Sequence, residues 1–310
     1  MAPRSTPPAE SLPAWAKGIR GELLPHEPMA RHTSWRVGGP ADWLFQPRDL
    51  PDLAALLGQL PSTLPVTWVG FGSNLLVRDG GVRGVVISPR PALTTFEEQT
   101  DGSLRVGAGI ACSRIARHAA RARLAPAAFF AGIPGTLGGA LAMNAGAWGG
   151  ETWEVVTAVE TVDRQGVLRR RAASEYEIAY RHVTLHAHDM GLEWFTAAHL
   201  TFPDTSESED IRSLLARRKE TQPLGQPSCG SVFRNPPEDH AARLIEACDL
   251  KGRRLGGAEV STKHANFIVN TGDALAADIE ALIEEVRRTV AERTGVSLIA
   301  EVRIVGEAAA

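Results

Sequence analysis

Two glycine-rich stretches contain the residue types that could bind an anionic ligand. The shorter is GFGSNLLV at 70–77, where Gly70, Gly72, Ser73 and Asn74 follow a predicted strand and could turn several backbone N–H groups toward one oxyanion. A tight turn in which Ser73 or Asn74 caps the next element has the same pattern. This stretch alone leaves a phosphate site and a structural turn equally open.

The longer stretch is AGIPGTLGGALAMNAGAWGGE at 131–151, and it shows no regular helix or strand period. It is too long for a turn and too hydrophobic for a flexible linker. Backbone that lies close to a large planar or diphosphate ligand explains so many glycines better than tight packing between two sheets. The predicted cofactor contacts in this stretch are Gly132, Pro134, Gly135, Thr136, Gly138, Gly139, Asn144 and Gly146.

The sequence does not contain the common dinucleotide-binding, P-loop or hydrolase motifs. In VGAGIA at 106–111, Gly107 and Gly109 are followed by Cys112 where a dinucleotide fingerprint needs its third glycine, so we reject a Rossmann domain. The chain has neither a P-loop motif nor a GxSxG pentapeptide, which gives no basis for a P-loop kinase or a nucleophile-elbow hydrolase.

Two further segments could hold reactive side chains in place. PSCGSVFRNP at 227–236 sets Cys229 and Ser231 among turn-forming residues, and neither is an obvious nucleophile. No neighbour of Cys229 in the sequence would stabilise a thiolate, so a small structural residue is favoured there. Lys263 and His264, at the start of KHANFIVN, are as consistent with solvated side chains as with ligand contacts.

Tyr180 and Arg181 end a strand-like segment. The arginine could clamp a carboxylate through two parallel hydrogen bonds, or it could cover a sheet edge. The residues alone leave both interpretations open.

The elements that must position these residues are a mixture of strands and helices in two domains. A chain of 310 residues exceeds the size at which single cores stop growing, roughly 250 residues. Residues 1–27, rich in Pro, Ser and Ala, are predicted to be a flexible tail. Residues 28–203 form the predicted first domain and 204–310 the second, with the boundary near Pro203.

Hydrophobic periodicity predicts elements around each candidate segment. Strands are expected at 66–69, 85–87 and 104–106, helices from Pro47 and over 113–123, and three strands of a second small sheet between 155 and 200. Ser206 and Glu209 resemble a capping box that opens a helix through 211–215. A long helix is predicted at 274–294 with Gly295 as its stop, and a final strand at 297–306 places Glu301 and Arg303 on one face.

Composition narrows the class of protein. A net charge of -3, with 44% hydrophobic and 22% charged residues, fits a globular chain without a field that would recruit nucleic acid or anionic lipid. The cysteines, Cys112, Cys229 and Cys248, lack CxxC spacing, which favours reduced thiols and no metal site. No window has the apolar length of a signal peptide core or a membrane span, so we expect a cytoplasmic protein.

The order of seven motifs resembles the UDP-N-acetylenolpyruvoylglucosamine reductases of peptidoglycan synthesis. The resemblance runs from about residue 31 to residue 306 and rests on RHTSWRVGGPA, GFGSNLLV, AGIPGTLGGALAMNAGAWGGE, YR, QPLGQPSCGSVFRNP, LKGRRLGGAEVSTKHANFIVN and AEVRIVG. It implies an α+β fold: a two-part FAD-binding domain of the vanillyl-alcohol-oxidase/PCMH type, followed by a smaller α+β substrate-binding domain. It also implies noncovalent FAD, NADPH as hydride donor and UDP-N-acetylglucosamine enolpyruvate as substrate, in a monomer.

The resemblance also implies roles for individual residues. Arg181 of the YR pair, Ser231 of GSVFRNP and Glu301 of AEVR match the catalytic residues of the family. Ser231 would protonate C2 of the substrate after hydride reaches C3 from the reduced flavin, and Arg181 and Glu301 would stabilise the carboxylate or enolic species. We expect domain closure to bring Arg181 and Glu301 together. The predicted substrate contacts are Tyr180, Asn235, Lys263, His264 and Arg303.

The chain departs from the family pattern at two positions and belongs to its shorter branch. Phe71 stands where the family usually has glycine or another small residue, so its bulk must point away from the FAD diphosphate or shift the loop. Cys229 stands where a smaller residue is often found and could act as a substitute acid. No tyrosine follows Tyr180, so the chain lacks the Tyr-containing insertion of the longer branch.

Two other functions are compatible with parts of the sequence. An FAD-dependent oxidase or dehydrogenase of a hydroxy acid or sugar could use the same flavin fold. A nucleotide-sugar-binding or scaffold protein could keep the fold without catalysis. The first would not be expected to carry GSVFRNP, KHANFIVN and AEVR together, and the second would not be expected to retain Arg181, Ser231 and Glu301.

Overall fold

The structure is a computed structural model that describes residues 12–122, 127–186, 192–202 and 211–309. The helices are α1 Leu50–Gln59, α2 Cys112–Ala122, α3 Leu137–Ala142, α4 Ile211–Thr221, α5 Ala241–Ala247 and α6 Ala276–Thr294. The strands are β1 Glu22–Pro28, β2 Pro40–Gln46, β3 Val66–Trp68, β4 Leu75–Val77, β5 Val82–Ile87, β6 Phe96–Glu98, β7 Leu104–Gly107, β8 Gly146–Ala147, β9 Gly150–Glu151, β10 Val156–Asp163, β11 Leu168–Ala172, β12 Tyr176–Ala179, β13 His182–Leu185, β14 Glu193–Leu200, β15 Arg254–Leu255, β16 Ala258–Val260, β17 Ile268–Asn270 and β18 Arg303–Val305.

The first sheet positions the shorter glycine stretch. Its strand order is β1-β2-β5-β3, and β3 runs parallel to β5 with Trp68 opposite Ile87. Because parallel strands end at the same edge, the segments that follow β3 and β5 leave the sheet side by side. Helix α1 buries Leu53, Leu56 and Leu57 in the core beside this sheet, as its apolar spacing predicts.

The second sheet is larger than the sequence predicts. The three strands expected between 155 and 200 are β10, β11 and β14, but β6 and β7 join them in the order β11-β10-β14-β7-β6. Strand β7 pairs antiparallel with β14 over residues distant in sequence, and no local pattern encodes such a pairing. The sheet and helix α2 enclose a separate apolar core.

The longer glycine stretch contains short regular elements where none were predicted. Thr136 caps helix α3, its Oγ1 accepting from the N–H of Gly139 at 3.4 Å, and strands β8 and β9 form a small hairpin. Elements of six and two residues are too short to show a hydrophobic period, so the sequence could not reveal them.

The C-terminal part packs α5 and α6 against the sheet β15-β16-β17 around a third core. Helix α6 buries Ile279, Leu282 and Val286, and Gly295 ends it at φ 73°, as predicted. The final strand is shorter than predicted: β18 spans Arg303–Val305 and pairs parallel with β4. Residues 299 and 301 instead bond to another loop, with Arg234 N donating to Ile299 O and Glu301 N to Val232 O.

The N-terminal segment is not all tail. Strand β1, which begins within the predicted tail 1–27 and ends at Pro28, pairs with β2 along the edge of the first sheet. Residues 1–11, Pro203 and the Ser206–Glu209 capping box lie outside the described residues, and the boundary near Pro203 stays a prediction. Among the described helices, none has the length and apolar character needed to cross a membrane.

Candidate active site

A single large cavity collects most of the predicted site residues. Its volume is about 960 Å³, at the upper end of the range of ligand sites. Both glycine stretches, the tip of the β12–β13 hairpin, the loop around Ser231 and the residues from Glu301 to Val305 contribute to its walls. Segments that are far apart in the sequence therefore meet at one place.

The two glycine stretches contact each other along this cavity. A Cβ on Gly70 would lie 2.6 Å from Thr136 Oγ1, and a Cβ on Gly135 would lie 3.4 Å from Ser73 Oγ. Gly139 borders the cavity, and the side-chain atom nearest to its ideal Cβ position among the described residues is Thr136 Oγ1, at 3.7 Å. Side chains at these glycines would crowd the junction or fill the cavity, so the backbone itself is presented to a ligand.

Residues 70–77 and 132–146 together form the cradle of the cavity, and their composition fits an anionic dinucleotide. Residues 70–77 and 132–146 contain no Asp or Glu, and Ser73 and Thr136 add hydroxyl groups to the cavity wall that these residues form. Successive backbone N–H groups and hydroxyls without a nearby carboxylate are the surroundings that diphosphates prefer. The residues present therefore fit the diphosphate of FAD.

Arg181 occupies the two-residue turn between β12 and β13, at φ 55°. Its Nη1 donates to Asn144 O at 3.0 Å and its Nη2 to Gly146 O at 3.3 Å, while its Nε donates to Glu301 Oε1 at 3.1 Å. A guanidinium has five N–H donors, so about two remain for a ligand after these three bonds. Arg181 is thus fixed in orientation and can still bind a carboxylate.

Glu301 is an acid of the cavity wall, and its side chain is 12% exposed. Burial raises the pKa of its carboxyl group above the ordinary value, and the Arg181 guanidinium opposes this rise by charge and by hydrogen bonding. Asn74 Nδ2 donates to Glu301 O at 3.1 Å, which connects the first glycine stretch to this residue. Arg181 and Glu301 are bonded to each other in this structure, and their approach through domain closure stays a prediction.

Ser231 lies on a loop held by a side chain that the sequence analysis missed. Asn266 Oδ1 accepts from Phe233 N at 3.0 Å, and its Nδ2 donates to Phe233 O at 2.8 Å. Glu301 N also donates to Val232 O at 2.7 Å, so the residue after Ser231 is tied to the chain at Glu301. Within the described part of the chain the Ser231 hydroxyl makes no hydrogen bond, which leaves it available to a ligand.

Cys229 also borders the cavity but is a protonated thiol. Burial raises its pKa well above the ordinary value, and the Glu301 carboxylate raises it further. A thiol in these surroundings is a poor nucleophile, in agreement with the structural role favoured by the sequence.

The predicted substrate contacts divide into two groups. Tyr180, Asn235 and Arg303 line the cavity, and the Tyr180 ring lies 4.8 Å from the Arg181 guanidinium carbon. Lys263 and His264 do not line it. Lys263 Nζ instead donates to Lys219 O at 2.5 Å, and half-buried His264 packs against Phe267, where burial lowers its pKa.

Asn144 was predicted to contact the cofactor, and the structure gives it another place. Its side chain is buried and does not line the cavity: Nδ2 donates to Glu151 Oε2 at 2.6 Å, and Oδ1 accepts from Trp153 N at 3.1 Å. Its carbonyl accepts from Arg181, so Asn144 acts on the site by holding Arg181. The remaining predicted cofactor residues all line the cavity: Gly70, Gly72, Ser73, Asn74, Gly132, Pro134, Gly135, Thr136, Gly138, Gly139 and Gly146.

Several cavity residues carry no local sequence signal. Trp68 stacks on Trp194 at 5.4 Å, and Arg90 and Arg218 add positive charge to the walls. Each comes from a different element, so only the tertiary structure brings them together. No three His, Cys, Asp or Glu side chains form a metal-binding group in the described ranges.

Comparison with known proteins identifies two matching family models. The model described as "UDP-N-acetylenolpyruvoylglucosamine reductase, C-terminal domain" matches residues 222–305, and that of an FAD binding domain matches residues 41–171. The two matches contain, respectively, the Ser231 loop with Glu301 and both glycine stretches.

Curated relatives and a solved structure match nearly the whole chain. UDP-N-acetylenolpyruvoylglucosamine reductase of Alkalilimnicola ehrlichii is 58% identical over 93% of this chain and 96% of its own length. The protein of the same name from Methylococcus capsulatus is 56% identical over 97% of this chain and 99% of its own. The crystal structure of UDP-N-acetylenolpyruvylglucosamine reductase from Thermus caldophilus has a TM-score of 0.75 at 32% identity, covering 92% of this chain and 98% of that one.

Proposed function

The chain belongs to the UDP-N-acetylenolpyruvoylglucosamine reductase family, and from that premise we propose that Arg181, Ser231 and Glu301 carry out its reaction. The protein is an FAD-containing oxidoreductase that reduces UDP-N-acetylglucosamine enolpyruvate to UDP-N-acetylmuramate with NADPH, in peptidoglycan precursor synthesis. The observation that carries the residue assignment is the 3.1 Å bond between Arg181 Nε and Glu301 Oε1 in the cavity that Ser231 also lines.

FAD would be held mainly by the backbone of residues 70–74 and 132–146. Neither segment contains a His or Cys that could attach to the flavin ring, so the cofactor is noncovalent. Bound FAD supplies the transfer of a hydride from NADPH to C3 of the enolpyruvyl group. Asn74 connects this cradle to Glu301 through its Nδ2, so the cofactor loop and the acid residue keep a fixed relation.

Ser231 would donate the proton that completes the reduction. Hydride addition at C3 leaves negative charge at C2 and on the substrate carboxylate, and the Ser231 hydroxyl gives its proton to C2. A hydroxyl is a weak acid, and its loop is therefore fixed by Asn266 and by the backbone at Glu301 so that it meets C2 in one orientation.

Arg181 would hold the substrate carboxylate with the N–H donors that the protein leaves unused. Its charge stabilises the enolic species as negative charge builds up, and the low-dielectric cavity strengthens this interaction. Glu301 keeps the guanidinium in place through Oε1, and the Asn144 and Gly146 carbonyls fix the other end. Tyr180, Asn235 and Arg303 would contact the remaining parts of the substrate.

The proposal also covers the oligomeric state and the cellular location of the protein. We infer that the protein acts as a monomer, because the described residues of one chain supply every proposed catalytic side chain. We also place it in the cytoplasm, where NADPH and nucleotide sugars are available and where its cysteines stay reduced.

The test measures flavin reduction by NADPH and flavin reoxidation by the substrate separately in each variant. Ser231→Ala should leave flavin bleaching by NADPH nearly unchanged and slow reoxidation by the enolpyruvyl substrate by about 10²–10⁴-fold, the usual contribution of a general acid. Cys229→Ala, on the same loop, is the matched control and should leave both half-reactions near their original rates. Equal slowing of bleaching and reoxidation in Ser231→Ala would show that the assignment of Ser231 is wrong.

The double variant tests whether the thiol can substitute for the hydroxyl. Any reoxidation that survives in Ser231→Ala and disappears in Ser231→Ala with Cys229→Ala would identify Cys229 as the substitute acid. We expect no such loss, because the Cys229 thiol is buried and its raised pKa makes it a weaker proton donor than an ordinary thiol.

A further inference from the structure

One arginine of the cavity wall has no place in the proposed reaction. Arg90 lines the cavity, and its buried Nε has no hydrogen-bond partner among the described residues. No ion pair of its guanidinium is found in that part of the chain either. Buried donors without an acceptor are rare in folded proteins because each loses its hydration without compensation. The unmet donor therefore calls for an acceptor on a ligand.

The Arg90 guanidinium packs over the aromatic ring of Phe71. The Arg90 guanidinium carbon lies 4.9 Å from the centroid of the Phe71 ring, a cation–π arrangement that favours this position of the head group. Phe71 belongs to the shorter glycine stretch and itself borders the cavity. The bulky residue that departs from the family pattern thus has a packing partner in this chain.

The topology explains why the two residues meet. Strands β3 and β5 are parallel and end at the same edge, with Trp68 opposite Ile87, so Phe71 and Arg90 both follow from that edge. Gly109 approaches from the second sheet, where a Cβ would lie 2.9 Å from Arg90 Cα. Three segments of backbone therefore fix the position from which the Arg90 side chain extends.

The other arginines of the cavity differ from Arg90. Arg181 has three acceptors within the protein, and Arg218 Nε donates to Gln222 Oε1 at 2.8 Å. Arg303 is exposed, so water can solvate its head group. Arg90 alone among these four combines a buried donor without an acceptor with an aromatic support.

We propose that Arg90, seated on Phe71, donates hydrogen bonds to the phosphate oxygens of the bound dinucleotide. An arginine fork matches the oxygens of a phosphate, and a cation is the charge that the carboxylate-free cradle lacks. Arg90 is a cofactor-binding residue and takes no part in hydride or proton transfer. This inference rests on the proposed function, since it takes FAD as the ligand.

The experiment measures FAD release from the purified holoprotein on dilution, followed by the rise in free-flavin fluorescence over a series of salt concentrations. Arg90→Gln and Arg90→Met should each weaken FAD retention by roughly 10- to 100-fold, the effect of losing a charged hydrogen bond. Their release should also depend less on salt than that of the unmodified protein, because the screened charge pair is absent. Phe71→Leu, which keeps bulk but loses the aromatic face, should weaken retention by several-fold.

The matched control is Arg114→Gln. Arg114 lies 5.3 Å over the Phe96 ring, the same pairing away from the cavity, and its loss should leave FAD release within about twofold of the original. If Arg90→Gln does not fold, Arg90→Met decides, because its unbranched stem still packs on Phe71. Release within twofold of the original in the folded Arg90 variants would overturn the inference while leaving the proposed function intact. An unmodified protein that retains no FAD would overturn both.

Discussion

The pairing of Arg181 with Glu301 makes the protonation state of one residue depend on the other. Burial raises the pKa of Glu301, and Arg181 holds it lower than burial alone would. The carboxylate must be ionised to bind the guanidinium, so the rate of substrate-dependent flavin reoxidation should fall as the pH falls through this pKa.

Arg181→Gln should therefore move the acid limb of the reoxidation profile to higher pH. Removing the guanidinium removes the main influence that opposes burial, so Glu301 takes up its proton at a higher pH than before. Arg181→Lys is the matched control: it keeps the charge but not the fork, and should move the limb less while still weakening substrate binding. Single-turnover reoxidation across pH measures both, and an acid limb that moves to lower pH in Arg181→Gln would contradict the coupling.

Glu301→Gln tests whether this residue acts on catalysis or on binding. The amide keeps size and hydrogen bonding but loses charge, so Arg181 is held less firmly as charge develops on the substrate. We expect a lower single-turnover rate with little change in substrate Kd, which a titration of the oxidised flavin spectrum gives independently. A Kd that weakens as much as the rate falls would make Glu301 a binding residue.

At the scale of elements, the sequence predicts what is periodic or rich in glycine. It predicts helix α6 with its Gly295 stop and both glycine stretches, because a long apolar stripe and clustered glycines are local signals. It does not predict the hairpin that carries Arg181, since Tyr180–Arg181 lacks the Asn-Gly pattern typical of a two-residue turn. The contacts of Arg181 with Asn144 and Glu301 depend on tertiary packing, which no local pattern records.

The backbone conformation of the glycine loop after β3 depends on Gly72 and on its contact with residues 32–34. Gly72 has φ +62°, and a Cβ there would lie 2.1 Å from His32 O. Ser34 N also donates to Gly72 O, so the segment 32–34 fixes this turn from outside the cavity. We therefore expect the FAD-binding shape of the loop to depend on that contact with the N-terminal segment.

Gly72→Ala should accordingly lower both stability and FAD content. The left-handed backbone and the clash with His32 together should cost about 2–4 kcal/mol of unfolding free energy. Gly102→Ala is the matched control, because Gly102 has φ +82° and no atom of the described residues lies within 4 Å of its ideal Cβ position. This variant should cost only about 1 kcal/mol. Denaturation midpoints and the ratio of flavin to protein absorbance measure the two effects, and equal losses in both variants would show that packing at His32 is unimportant.

Across the whole molecule, elements of the two predicted domains pair and pack with each other. Strand β18 pairs with β4 of the first part, and Arg78 forms two hydrogen bonds with Glu280 of α6. Trp35, near the start of the described chain, is fully buried in the C-terminal core. The predicted boundary at residue 203 divides the chain in sequence order, but these contacts join residues from both sides of it.

The last prediction follows from Trp35. Its indole Nε1 donates to Ile268 O at 2.7 Å, and Asn270 Nδ2 donates to Trp35 O at 2.9 Å, so the segment that fixes Gly72 is anchored in the C-terminal core. Trp35→Ala should lower the unfolding free energy by about 3–5 kcal/mol and shift FAD release and the loss of far-UV ellipticity to the same lower urea concentration. Trp15→Ala, at a half-buried tryptophan on the margin of another core, is the control and should shift both midpoints less. If ellipticity in Trp35→Ala falls in two steps and FAD leaves only in the second, the C-terminal part unfolds by itself and the interlocking inferred from Trp35 and β18 is wrong.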